Sequence, residues 1–228
     1  GLDRTERALA LAERLGLVDI AAEALGTKGS IAVFAGRQWE ARALLEGCRV
    51  LAEENDLPET ALAASLMLAS VIALDDPAAA VTLQRAGIAI ARQLGRRADE
   101  MTLLGNAVED ARRTGDWQWA TDEIAGALQL DIDEGSRLAL EGVEAFFWIV
   151  QGHSNETELD SLLVRLAALE DRDVAAAKHD LLGYLALTRR DFLEAHGHWM
   201  QVVGVSSLNT PYCLPRAANA AVLAGDAL

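Results

Sequence analysis

Gly36-Arg37-Gln38-Trp39-Glu40-Ala41 and Gly115-Asp116-Trp117-Gln118-Trp119-Ala120 are the stretches that decide how the chain reads. Each sets a turn former, then a large residue, then a small alanine where a helix begins. Arg190-Asp191-Phe192-Leu193-Glu194-Ala195 repeats the pattern, and Asp75-Asp76-Pro77-Ala78-Ala79 varies it with a proline suited to a first helical turn. Polar breaks at Gly36, Asp76, Gly115, Gly152, Arg190 and Gly225 are separated by 40, 39, 37, 38 and 35 residues. Each interval holds two helices of about four to five turns with tight turns between them, so the chain reads as a tandem array.

Composition points the same way. The 228 residues include 43 Ala and 36 Leu against 4 Pro, a mixture of strong helix formers. A hydrophobic share of 51% supports a core and excludes disorder despite the net charge of -15. That charge, from 35 acidic and 20 basic residues, argues against nucleic acid as a partner. Cys48 and Cys213 are too few for a disulfide framework or a zinc site and fit a reducing, cytoplasmic setting. The longest apolar run, 61–74, is shorter than a membrane span requires.

The spacing predicts helix pairs at 19–35 with 38–54, 58–74 with 77–94, 98–114 with 117–130, 134–151 with 156–169, and 173–188 with 191–203. Ala41, Ala79 and Ala120 are expected at helix crossings, and Cys48, Ala86 and Ala127, seven residues on, along the same inward stripe. The opening run 8–16 echoes 87–95, the end of a second helix, and Pro215 to Gly225 reads as the first helix of a unit. Residues 1–228 are therefore expected to form a single repeat domain, excised from a longer protein.

Gly29 with Gly36 and Ala41, and Gly183 with Ala195 and Trp199, make the chain resemble a tetratricopeptide-like (TPR-like) helical repeat. The period is nearer 38 than 34, and Ala32, Ser70 and Ala111 replace the usual first-helix tyrosine. The longer units resemble the C-terminal repeats of large bacterial regulators that carry a nucleotide-cyclase-like domain and an AAA-type signalling ATPase. The resemblance implies an all-α, right-handed α-solenoid of antiparallel helix pairs, acting as a sensory or interaction arm. Carboxylate-clamp TPR domains use Lys and Asn where this chain has Gly26, Ser30, Ala64, Leu68, Gly105 and Glu109, so that subtype is excluded.

Catalytic and metal motifs fail on spacing. Gly26-Thr27-Lys28-Gly29-Ser30 lacks phosphate-loop spacing and reads as a small-residue crossing within a helix. His153, His179, His196 and His198 have no metal-binding pattern, and His196 and His198 point away from each other on a helix. Asp131-Ile132-Asp133-Glu134-Gly135 lacks the remaining calcium-loop ligands and reads as a connection that charges the next helix N-terminus. Glu170-Asp171-Arg172-Asp173 reads alike, and Asn155-Glu156-Thr157 is a glycosylation sequon by pattern only. No catalytic residue, cofactor or metal is expected.

Trp117, Trp119, Phe146, Phe147, Trp148 and Trp199 are expected mainly to fill gaps between units. If first helices line a concave wall, that wall would present Phe34, Leu68, Ile72, Glu109, Arg112, Arg113, Phe146, Ile149, Tyr184 and Thr188. Arg112 and Arg113 also suit a helix C-terminus, where they would simply stabilise the helix. The expected partner is a protein or peptide segment, domains of the parent chain included, with weak self-association and no membrane. The alternatives are a passive oligomerisation scaffold and an α-helical enzyme with an unrecognised site.

Overall fold

The computed structural model describes residues 2–152, 156–168, 172–205 and 210–225. Among them there are twelve helices and no strand, as the alanine- and leucine-rich composition requires. The chain divides into two compact units between Asp116 and Trp117, inside the second of the two deciding stretches. The first unit holds α1 (Leu2–Leu15), α2 (Val18–Phe34), α3 (Gln38–Glu54), α4 (Pro58–Ile72), α5 (Pro77–Leu94) and α6 (Arg97–Thr114). In the second are α7 (Trp117–Leu128), α8 (Glu134–Gln151), α9 (Glu156–Ala168), α10 (Arg172–Thr188), α11 (Phe192–Val205) and α12 (Thr210–Ala224).

Within each unit, helices adjacent in sequence pack together. Two further contacts skip one helix: α2 packs on α4, and α8 on α10. α12 begins earlier than the sequence suggests and carries Pro215 in its interior. Because that proline lies only six residues in, it removes a single helical hydrogen bond near the first turn.

The breaks that set the sequence period are helix stops. Gly36, Gly115, Gly152 and Gly225 have positive φ, and so does Arg190, whereas Asp76 caps the N-terminus of α5. At five stops the residue after the left-handed position donates its N–H back to a carbonyl five residues earlier. The pairs are Leu17 to Ala12, Arg37 to Ala32, Leu57 to Ala52, Arg96 to Ala91 and Asp191 to Ala186, each 2.9 Å. This is the Schellman arrangement, and its acceptor is alanine every time. All five alanines are at most 3% exposed.

Arg190 adopts φ 61° without the freedom of glycine. Arg190→Gly should relieve about 1 kcal/mol and raise the melting temperature of the second unit by about 4 °C. An unchanged or lowered midpoint in a thermal scan would show that the arginine side chain holds this turn.

The N-cap, rather than the proline, sets the register of the small residues. Ala41, Ala120 and Ala195 are fully buried, each the fourth residue after the one preceding its helix. By that count α5 presents Ala80, which is buried, whereas Ala79 is exposed and gives its N–H to the Asp76 cap. The stripe seven residues on shifts with it. Cys48 and Ala127 are buried as expected, but Ala86 is exposed and Gly87 takes the inner position.

Three glycines mark the tightest crossings, each against a large residue sixteen positions later. A methyl group on Gly29 would lie 2.7 Å from Leu45, one on Gly87 2.9 Å from Leu103, and one on Gly183 2.7 Å from Trp199. These contacts join α2 to α3, α5 to α6 and α10 to α11. The first lies beside a cluster of Ala32, Ala41, Leu45, Leu68 and Val71.

A buried charge also ties α5 to α6. Glu100, 4% exposed, accepts from Arg92 Nε at 2.8 Å and Arg97 Nη1 at 2.7 Å. Burial alone would raise its pKa, yet the hydrogen bonds and charges of the two arginines outweigh it and leave the carboxyl below 4.5. Its stabilising contribution is therefore present above pH 4.5 and disappears as the pH falls through the folded-state value. Glu100→Gln should cost about 2 kcal/mol at neutral pH, and urea titrations should show the gap to the parent closing on acidification. A pH-independent gap would mean that shape, not charge, holds this contact.

Candidate functional site

The residues expected on one concave wall have different fates. Phe34 is 79% exposed at the end of α2, and Thr188 is exposed at the end of α10, its hydroxyl donating to Leu185 O. Ile72 is half-buried at the edge of the first unit's core, and Glu109 is exposed with Arg112 bonded to it. Leu68, Phe146 and Ile149 are 2%, 5% and 3% exposed, so they are core and cannot meet a ligand on the surface. Their helices bury two faces because neighbours pack on both sides.

Arg113, expected on the wall, is bonded within the chain. Its Nη1 donates to Ala73 O at 2.5 Å, the carbonyl just past α4, and it pairs with Asp110 at 3.4 Å. Asp110 is 6% exposed and accepts from Gln84 Nε2 at 3.0 Å. Burial pushes the Asp110 carboxyl up, against the opposing influence of Gln84 and Arg113. Arg113 thus lies in the last turn of α6, as expected, and also caps α4 and neutralises a buried acid, so the stabilising reading applies to both helices.

The aromatic residues of the second unit form a column. Ring centroids lie 5.7 Å apart for Trp117 and Phe147, 5.4 Å for Phe147 and Phe146, 4.7 Å for Phe146 and Tyr184, and 5.4 Å for Tyr184 and Trp199. The Trp117–Phe147 pair is tilted and the other three are edge-on, a geometry that gives those three more than their buried area alone. Tyr184 is half-buried and carries the Arg216 guanidinium 5.1 Å from its ring centre.

Residues 26–30 lie within α2, where Ser30 Oγ donates to Gly26 O, so they make the small-residue crossing rather than a phosphate loop. His198 and His179 place their Nδ1 atoms 3.2 Å apart, while His196 Nδ1 lies 3.0 Å from Ala217 O. The two histidines of α11 face opposite neighbouring helices. Burial is the main cause lowering the His179 pKa, and His198 and Lys178 add to it. Among the described residues no group of three or more His, Cys, Asp or Glu is placed to hold a metal. Asp133 caps α8, its carboxylate accepting from the Ser136 hydroxyl and N–H, which lower its pKa. His153, Asn155, Glu170 and Asp171 lie outside the described residues. Both cysteines are free and buried, and burial with the charge of Asp180 pushes the Cys213 thiol up to about 12.

An open groove lies between α8 and α9, with a volume of about 270 Å³. Helical spacing builds both walls. Glu141, Glu144 and Trp148 follow one stripe of α8, facing Glu158, Leu162 and Arg165 on α9. Leu128, at the end of α7, and Leu162 supply apolar lining. Arg165 also lines the groove, donating to Glu141 at 2.7 Å and to Glu134 at 2.9 Å. Those two carboxylates, Glu134 first, hold its pKa up. Among the described residues, Glu144 and Glu158 have no cationic partner. Burial, then the neighbouring charges of Glu141 and Glu158, raise the Glu144 carboxyl above 4.5. The groove is thus a negatively charged channel with an aromatic side and one guanidinium already seated in it.

The sequence carried a signal for this site: acids at 141 and 144 with Trp148, and an acid at 158 with Arg165, each set on one helical face. Read singly, those charges look like a solvated surface. No protein-family model matches the chain, and no curated protein matches it. No helix among the described residues is long and apolar enough to cross a membrane.

Proposed function

We propose that this chain is a TPR-like helical repeat module, a right-handed solenoid with a period of about 38 residues, that binds a protein or peptide segment rather than catalysing a reaction. The observation that carries the binding reading is the α8–α9 groove. Its two carboxylates without an ion pair among the described residues, Glu144 and Glu158, lie beside Trp148, an arrangement that suits recognition of a cation. The repeat reading is supported by the glycine crossings at a constant sixteen-residue spacing and by the contacts of α2 with α4 and α8 with α10. On the resemblance to bacterial cyclase and ATPase regulators, the module serves as the interaction arm of a cytoplasmic signalling protein.

Panning a random-peptide library against the whole chain and mapping the selected peptides by amide shifts tests this. Enrichment of a common motif, with a footprint on one helical face, is the expected result. A chain that enriches nothing is not a binding module. The scaffold alternative has its own support in exposed apolar side chains of α1 and α12, among them Leu15 at 57% and Val222 at 69%. It predicts concentration-dependent sedimentation that Leu15→Glu or Val222→Glu abolishes.

A further inference from the structure

Which ligand chemistry the groove takes follows from what already sits in it. Arg165 shows that a guanidinium fits between these helices, bonded to carboxylates of α8. Glu144 and Glu158, which form no ion pair among the described residues, line opposite walls of the same space of about 270 Å³. That volume lies just below the range usual for whole small-molecule ligands, and it suits one long side chain better than a helix. The half-buried Trp148 flanks the acids, giving a surface on which a planar cation can stack, and Leu128 and Leu162 add apolar lining for an aliphatic stem.

We infer that the α8–α9 groove binds an arginine side chain of a partner peptide, the guanidinium bridging Glu144 and Glu158 against the Trp148 ring and apolar neighbours of the arginine lying on the lining leucines. This rests on the binding-module reading and gives that reading its ligand class. Arginine is favoured over lysine because its planar fork can meet two carboxylates and stack at once. An acidic or uncharged segment would leave both glutamates unpaired.

The test uses the whole chain and three blocked peptides: acetyl-Leu-Arg-Leu-amide, its citrulline analogue and its glutamate analogue. The readout is the indole N–H resonance of Trp148, assigned by its loss in Trp148→Phe. The arginine peptide should shift that resonance saturably, the other two should leave it in place, and added salt should weaken the effect. The combined Glu144→Gln and Glu158→Gln variant should bind about tenfold more weakly while its circular dichroism is unchanged. Equal shifts from the citrulline analogue, undiminished binding by the double variant, or no shift at millimolar arginine peptide would each overturn the proposal. If the arginine peptide fails while library peptides bind other helices, the binding-module reading stands and this ligand assignment falls. Failure of both removes both.

Discussion

Trp199→Ala is expected to destabilise the second unit by about 3 to 5 kcal/mol, the range for removing a buried aromatic side chain from a packed core. The ring is 2% exposed and ends the aromatic column against Tyr184. It also fills the space that Gly183 leaves open, and its Nε1 donates to Asp180 Oδ1 at 2.9 Å. Asp180 meanwhile receives Arg216 Nη1 at 2.7 Å, so the indole helps join α10, α11 and α12. Trp199→Phe separates the two contributions: it keeps most of the ring, loses the hydrogen bond and should cost about 1 to 2 kcal/mol. Gly183→Ala should also destabilise, because its methyl would meet the indole, and that penalty should shrink in a Trp199→Leu background. Urea unfolding of the parent, the four single variants and the Gly183→Ala/Trp199→Leu double variant measures these differences. Additive costs for Gly183→Ala and Trp199→Leu would mean that the two positions do not form the crossing described.

The helices themselves were legible from punctuation. The glycine and Arg190 breaks are left-handed helix stops, and the predicted pairs fall within a few residues of the observed helices. Legibility failed in the register of the small residues. The start of α5 at Pro77 matches the expectation, but the stretch 75–79 is one residue shorter than its counterparts, and counting four residues on from the Asp76 cap moves the buried position from Ala79 to Ala80. The concave-wall residues failed for a different reason. A one-sided helix model leaves one first-helix face free, whereas α8 packs on α7, α9 and α10, so Phe146 and Ile149 are enclosed. What the same helix leaves open is its acidic stripe. Sequence spacing can place Glu141, Glu144 and Trp148 on one face, but which faces stay uncovered depends on how α7, α9 and α10 pack around α8.

Bonding within the chain, rather than enclosure, changes what a charge reversal at Arg113 should do. Read from sequence, Arg113→Glu leaves folding intact, because an exposed charge contributes little. With the guanidinium bonded to Ala73 O and paired with the buried Asp110, Arg113→Glu should instead cost roughly 3 kcal/mol. Three effects act together: the α4 carbonyl loses its donor, the negative end of α4 gains an acid beside it, and Asp110 meets a like charge. Arg113→Ala should cost less, since it removes the cap without adding repulsion. Asp110→Asn separates the pair further: it keeps a hydrogen-bonding group near Gln84 while removing the charge that burial disfavours. In that background the penalty of Arg113→Glu should fall, because only the cap and the α4 terminus are still affected. Amide exchange across α4, α5 and α6 is the direct measurement, with faster exchange expected there than in α1 and α2. A stable Arg113→Glu chain with unchanged protection at the end of α4 would mean that Arg113 is a free surface charge after all.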